Sequence, residues 1–165
     1  MNFFPWPLKP ISIEIPSQQW GLDFIGEIHP PSYAQHKWTL TAIDYFTKWI
    51  EAIPSRLATD AVIIKFLETN ILSRFGCPNK LITNNAKTFK SKKMIHLCNK
   101  YHFTLGHSTT YYPQGNGLSE SSNKILVNII KKLLVESKKW WHNKIINALW
   151  VDRLTTKKSI GMSPY

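Results

Sequence analysis

Apolar and polar positions fall into blocks along this chain, and the period changes from block to block. Three runs, at 20–26, 37–46 and 49–54, are rich in aromatic and β-branched residues and are separated by short Pro, Ser, Asp and Thr breaks. Such runs predict three successive strands, able to form a meander. From 59 to 75 the period lengthens. Val62, Ile63, Phe66, Leu67, Ile71 and Leu72 fall at helical spacing, Thr59 and Asp60 can cap the start, and Gly76 with Pro78 stops the helix. A short strand is expected at 80–83, followed by polar residues 84–87. Met94, Leu97 and Cys98 then mark a second helix, ending before a strand at 102–106.

The last third reads differently. Residues 108–117 (STTYYPQGNG) contain one Pro and two Gly and show no period, which predicts a loop. Helical patterns follow at 118–136 and 138–153, the second carrying Trp140, Trp141 and Trp150 as core and self-association surface. Strands first, then helix alternating with strand, then helices, describe an α/β domain in which helices cover a mixed sheet. Residues 1–18, with Pro5, Pro7, Pro10 and Pro16, form an expected extended arm before a domain spanning 19–165. Nothing at Met162-Ser163-Pro164-Tyr165 marks a natural end, so the domain is expected to be cut short there.

Charge narrows the choice of partner. Against 10 Asp and Glu stand 21 Lys and Arg, a formal charge of +11 in 165 residues, which favours a polyanion such as nucleic acid. No apolar run approaches the roughly 18 residues of a membrane span, and the first ten residues lack the basic-then-apolar order of a signal peptide. Cys77 and Cys98 form no Cys-x-x-Cys pair, and both read as reduced, buried small hydrophobes. His29, His36, His96, His102, His107 and His142 show no metal-ligand spacing.

Three segments carry chemistry. They are Trp20-Gly-Leu-Asp-Phe-Ile-Gly26, Leu81-Ile-Thr-Asn-Asn-Ala-Lys-Thr-Phe89 and Tyr112-Pro-Gln-Gly-Asn-Gly-Leu-Ser-Glu120. With Ala42-Ile-Asp-Tyr-Phe-Thr-Lys-Trp49 and Arg74-Phe-Gly-Cys-Pro78, they resemble the integrase catalytic core of long-terminal-repeat retrotransposons, gypsy-class and plant-like, within the retroviral integrase superfamily. The resemblance runs from Trp20 to Tyr165. It implies an RNase H-like mixed five-stranded sheet flanked by helices, two Mg²⁺ or Mn²⁺ ions, and hydroxyl attack on DNA phosphodiesters. It also implies element ends and target DNA as partners, a homodimer or higher oligomer, and a nuclear site of action.

The same resemblance makes Asp23, position 84 and Glu120 the metal-binding and catalytic set. The interval fits, because 35 residues separate Asn84 from Glu120 as in the family, but the family has Asp where this chain has Asn84. Two metals about 3.5–4 Å apart need hard, anionic oxygen ligands. Asn supplies one neutral carbonyl oxygen, so metal binding and catalysis are expected to be impaired. Each residue also has a plainer reading. Asp23 can be a satisfied polar residue in a strand, Asn84 a turn former, and Glu120 a first-turn acid favoured by the helix dipole. Asp44 is a tempting substitute carboxylate but reads as a turn residue.

Beyond Glu120, residues Lys124, Val127 and Lys131 follow at steps of 4, 3 and 4 on one helical stripe, while Leu126, Ile129, Ile130 and Leu133 take the core face. Such a stripe would carry DNA phosphates away from the metal site. Lys124 matches a family position implicated in binding the DNA end, whereas Val127 departs from the Lys of retroviral relatives. Tyr111, Tyr112, Gln114 and Asn116 in the preceding loop suit contact with DNA strands. The alternative function is a non-enzymatic, domesticated or decaying domain that binds DNA or dimerises.

Overall fold

In a computed structural model of the chain, residues 14–84, 86–107, 124, 127–132, 135–158 and 160–165 are described. Strands β1 (Gln19–Gly26), β2 (Trp38–Asp44) and β3 (Ile50–Ser55) form the expected antiparallel meander. Strands β4 (Lys80–Thr83) and β5 (Thr104–His107) add in parallel on the other side of β1, giving the order β3-β2-β1-β4-β5. Pro54, which has no N–H to donate, sits on edge strand β3, where a lost ladder bond is tolerated.

Parallel pairing requires crossovers, and helices supply them. Helix α1 (Asp60–Phe66) starts at Thr59, whose hydroxyl accepts from the Val62 N–H at 3.5 Å. It continues through a π-helical stretch, Leu67–Leu72, into the short α2 (Ser73–Phe75), and Gly76 ends it at φ +83°. After a 3₁₀ turn at Lys87–Lys90, helix α3 (Lys92–Tyr101) is capped by the Ser91 hydroxyl and returns the chain to β5. The last helix, α4 (Trp141–Leu154), follows a 3₁₀ turn at Lys138–Trp140.

The two-residue period of the strands divides the sheet into two apolar faces. On one side Trp20, Leu22, Leu40, Ala42 and Leu81 pack with Ile63, Phe66, Ile71, Met94 and Leu97 from the crossover helices. On the other, Ile43, Ile50 and Ile82 pack with Ile130 and with Trp141, Ile145, Ala148 and Leu149. The result is three layers with the sheet in the middle.

Of the three tryptophans near the end of the chain, Trp141 is fully buried, while Trp140 and Trp150 keep 54% and 41% of their surface exposed. Cys98 lies in the first core as expected. Cys77 corrects the sequence reading, because it is exposed. It stands in the loop between Gly76 and Pro78, after the helix has stopped, where no apolar period directs it inward.

A buried ion network joins β3 to α4. Glu51 accepts from Trp49 Nε1 at 2.7 Å and from Arg153 Nη2 at 3.0 Å, and pairs with Arg74 Nη1 at 2.8 Å. Arg153 also donates to the Ile50 carbonyl at 2.9 Å and stacks 4.0 Å from the Trp49 ring centroid. Burial pulls the Arg153 guanidinium below its ordinary pKa, and the charge of Glu51 opposes that shift.

A candidate metal and DNA site at the ends of the central strands

Residue alternation sets the direction of each candidate side chain. Trp20, Leu22 and Phe24 face the crossover helices, so Gly21, Asp23 and Ile25 face the layer that contains Ile130 and α4. Asp23 is half-buried on β1, opposite Thr41 of β2, whose hydroxyl donates to the Asp23 carbonyl at 3.1 Å. On the other flank β4 pairs Thr83 with Leu22, which brings the next residue, Asn84, alongside Asp23.

The two side chains meet directly. Asn84 Nδ2 donates to Asp23 Oδ1 at 2.9 Å, although 61 positions separate them in sequence. Asp23 Oδ1 also accepts from the Phe24 N–H at 2.8 Å, and Asn84 Oδ1 accepts from the Ala86 N–H at 3.0 Å. The second bond orients the amide. Turning it over would put its oxygen against the carboxylate and its NH₂ against an N–H, losing both bonds. The amide therefore presents a donor, not a lone pair, to Asp23. An ionised Asp at this position could not make that bond, and two adjacent carboxylates would repel each other unless a cation or a shared proton stood between them.

Asp23 forms one wall of an open groove of about 540 Å³, lined also by Phe24, Ile25, Gly26, Lys124, Val127, Asn128 and Lys131. Three members of the predicted stripe thus share a groove with the carboxylate, and the core face is as expected, with Ile130 buried and Ile129 packed against the second core. Asn128 was missed. It lies between two stripe positions, and only the width of the groove brings it in. Glu120, Tyr111, Tyr112, Gln114 and Asn116 lie outside the described residues, as do Leu126 and Leu133.

The glycines of the first motif have packing reasons. A Cβ on Gly21 would come within 2.8 Å of the Tyr45 ring and hydroxyl, and one on Gly26 within 2.7 Å of the Trp38 ring. Asp44 is paired with Trp20, so it lies on the opposite face of the sheet from Asp23. There it accepts from Thr47 Oγ1 at 2.7 Å and from the N–H groups of Phe46 and Thr47, both at 3.3 Å. It is a turn residue and is turned away from the groove.

Residues 14–113 match the family model for the integrase core domain. The Gag-Pol polyprotein of avian reticuloendotheliosis virus is 31% identical over 150 residues, covering 91% of this chain and 13% of the polyprotein. That of gibbon ape leukemia virus is 31% identical over 151 residues, again 91% of this chain and 9% of the polyprotein. The chain thus spans only a small part of these relatives. Among solved structures, the HTLV-2 integrase catalytic core domain in complex with magnesium, in its trimeric form, superposes with a TM-score of 0.71 at 23% identity, covering 92% of this chain and 95% of that one. A simian T-cell lymphotropic virus intasome in complex with PP2A regulatory subunit B56 gamma superposes with a TM-score of 0.76 at 20% identity, covering 91% and 53%.

Proposed function

Because the chain belongs to the integrase core domain family, we propose that it is a DNA-binding core of retroelement type, built for metal-dependent phosphodiester cleavage and strand transfer but impaired in that chemistry by Asn84. The domain proper is 19–165, with 1–18 as its arm. Its partners are element-end and target DNA, and its place of action is the nucleus.

The observation that carries this reading is the Asn84 to Asp23 hydrogen bond beside the Lys124 and Lys131 groove. Bound Mg²⁺ or Mn²⁺ would polarise a phosphodiester and ionise the attacking hydroxyl. Asp23 has the chemistry of a ligand for such an ion, and Glu120 is the other carboxylate of the proposed set. Asn84 does not fit. Its nitrogen is turned toward Asp23, and its oxygen is engaged by the Ala86 N–H. Losing part of a metal contribution of several kcal/mol slows the step by about 10³ or more.

Lys124 and Lys131 need no metal to act. They are cations along one wall of the groove and hold phosphates there, with Tyr111, Tyr112, Gln114 and Asn116 contacting strands near the cut. Self-association uses α4, where Ile146 and Leu154 are 65% and 62% exposed on the side of the helix that carries Trp150. The HTLV-2 core has been solved in dimeric as well as trimeric form.

The same hydrogen bond favours a second reading, a non-enzymatic DNA-binding or dimerisation domain, because the pair is satisfied without a cation. Strand transfer on a labelled element-end duplex with Mn²⁺ separates the two. The impaired-enzyme reading expects faint product from this chain and about 10³-fold more from the Asn84→Asp variant. No product from either would leave the non-enzymatic reading, and full activity with Asn84 in place would sink the claim of impairment.

A further inference from the structure

Helix α3 carries a second positive surface, on the other side of the sheet from the Asp23 groove. Its Met94, Leu97 and Cys98 are buried in the first core, so the opposite face looks outward. Lys92, Lys93, His96 and Lys100 line an open groove of about 370 Å³ with Ile64, Glu68 and Leu97, and none of these residues belongs to the Asp23 groove. Glu68 is its single carboxylate and is already engaged, accepting from the Tyr101 hydroxyl at 3.3 Å and lying 3.9 Å from Lys100 Nζ. Among the described residues, Lys92 and Lys93 form no ion pair.

The location of these lysines is unfavourable for the helix itself. The first turn of α3 holds no acidic residue and both Lys92 and Lys93, although the N-terminal end of a helix is its positive pole and favours anions. Two cations there reinforce the positive potential, which an external anion would relieve. The row is also extended. Lys92 and Lys100 lie two turns apart, about 12 Å along the axis, and one strand of a duplex carries a phosphate per about 3.4 Å of axis, so roughly three or four phosphates of the near strand lie alongside. A small anion would need converging donors, which this row does not offer, and a membrane surface would call for exposed aromatic or aliphatic anchors that α3 supplies only in Ile95.

We propose that the α3 face bearing Lys92, Lys93, His96 and Lys100 binds the phosphate backbone of a second nucleic-acid segment, separate from the one held in the Asp23 groove. The proposal rests on the reading of the chain as a DNA-binding core and adds a second contact to it. The sheet and the layer of crossover helices lie between the two grooves, so one straight stretch of duplex cannot fill both.

The test is fluorescence anisotropy with a random-sequence duplex, in chelator, across a salt series. Lys92→Gln with Lys93→Gln removes two phosphate contacts, so the slope of log K against log salt should fall by about 1.8, with about ten-fold or more lost in affinity at 0.1 M salt. Because the change relieves the helix end, thermal stability should stay level or rise, which separates lost binding from lost folding. Combined with Lys124→Gln and Lys131→Gln, the losses should add. An unchanged slope with less than two-fold loss would overturn the proposal. So would binding to phosphatidylserine vesicles that matches DNA binding and depends equally on Lys92 and Lys93. Failure of strand transfer leaves this measurement intact, and an effect at Lys92 and Lys93 with none at Lys124 and Lys131 would sink the Asp23 groove alone.

Discussion

Two carboxylates of this domain, Glu51 and Asp23, sit on neighbouring parts of one sheet and are compensated in opposite ways. Glu51 is buried and receives two guanidinium groups and an indole N–H, all from the protein. Asp23 is half-buried and accepts from the Asn84 amide and from the Phe24 N–H. The first is a closed structural pair whose charge is cancelled within the chain. The second, on the reading proposed above, is the remnant of a site that takes charge from outside, with the amide where a second carboxylate would stand.

Breaking the first pair should have the larger effect. Arg153→Ala strips Glu51 of its buried partner, leaves Arg74 alone to offset it, and uncovers the Trp49 ring. A loss of about 3–5 kcal/mol is expected by denaturant titration, the range for an uncompensated buried charge. Replacing both ends, Glu51→Leu with Arg153→Met, should recover most of that loss. A single variant no worse than about 1 kcal/mol would mean that the network is ornamental.

Asn84→Asp should come next and should change sign with conditions. In chelator it removes a hydrogen bond to a charged group and sets two carboxylates together, at a cost of about 1–3 kcal/mol. With Mn²⁺ at about a hundred times its dissociation constant, binding to the native state returns about 2.7 kcal/mol. The native Asn84 chain should be nearly indifferent to Mn²⁺ in the same thermal melts. Equal stabilisation of the native chain and of the Asn84→Asp variant by Mn²⁺ would erase the distinction between the two carboxylates.

The smallest expected effect concerns a group in neither pair. Burial, with help from the positive charge of His142 and Arg56, lowers the pKa of His36, which lies 5.1 Å ring to ring from His142 and 3.2 Å from the Ser32 hydroxyl. A lowered folded-state value means that the unfolded chain takes up the proton first. Stability from this group is therefore complete above the ordinary histidine pKa of 6.5 and is lost as pH falls through the lowered folded value. His36→Gln should flatten the dependence of melting temperature on pH between pH 7 and 5 by a small amount, about a degree or two at most. An unchanged profile would place the acid sensitivity elsewhere.

The sequence showed the strands and helices because both report their own period. The predicted runs at 20–26 and 80–83 fall within one residue of β1 and β4. That Asp23 and Asn84 stand together was legible in the two motifs, and their side chains meet at 2.9 Å. The Glu51 network was not, since its main partner lies 102 positions away and a lone acid in a short strand carries no signal. Nor could spacing show which way the Asn84 amide turns, because that depends on the Ala86 N–H. The π-helical turn at Leu67–Leu72 was also hidden, since its apolar positions satisfy the ordinary helical period.

Gly21 has a consequence for how chains like this one are detected. Its missing side chain makes room for the Tyr45 ring, so a copy that keeps this ring in place is bound to keep the glycine, whatever its chemistry. The Trp-Gly pair at the head of the first motif is therefore a label for architecture. A search that weights it heavily will gather copies by their fold, and on the reading proposed above the identities at 23, 84 and 120 are what separate working copies from failed ones.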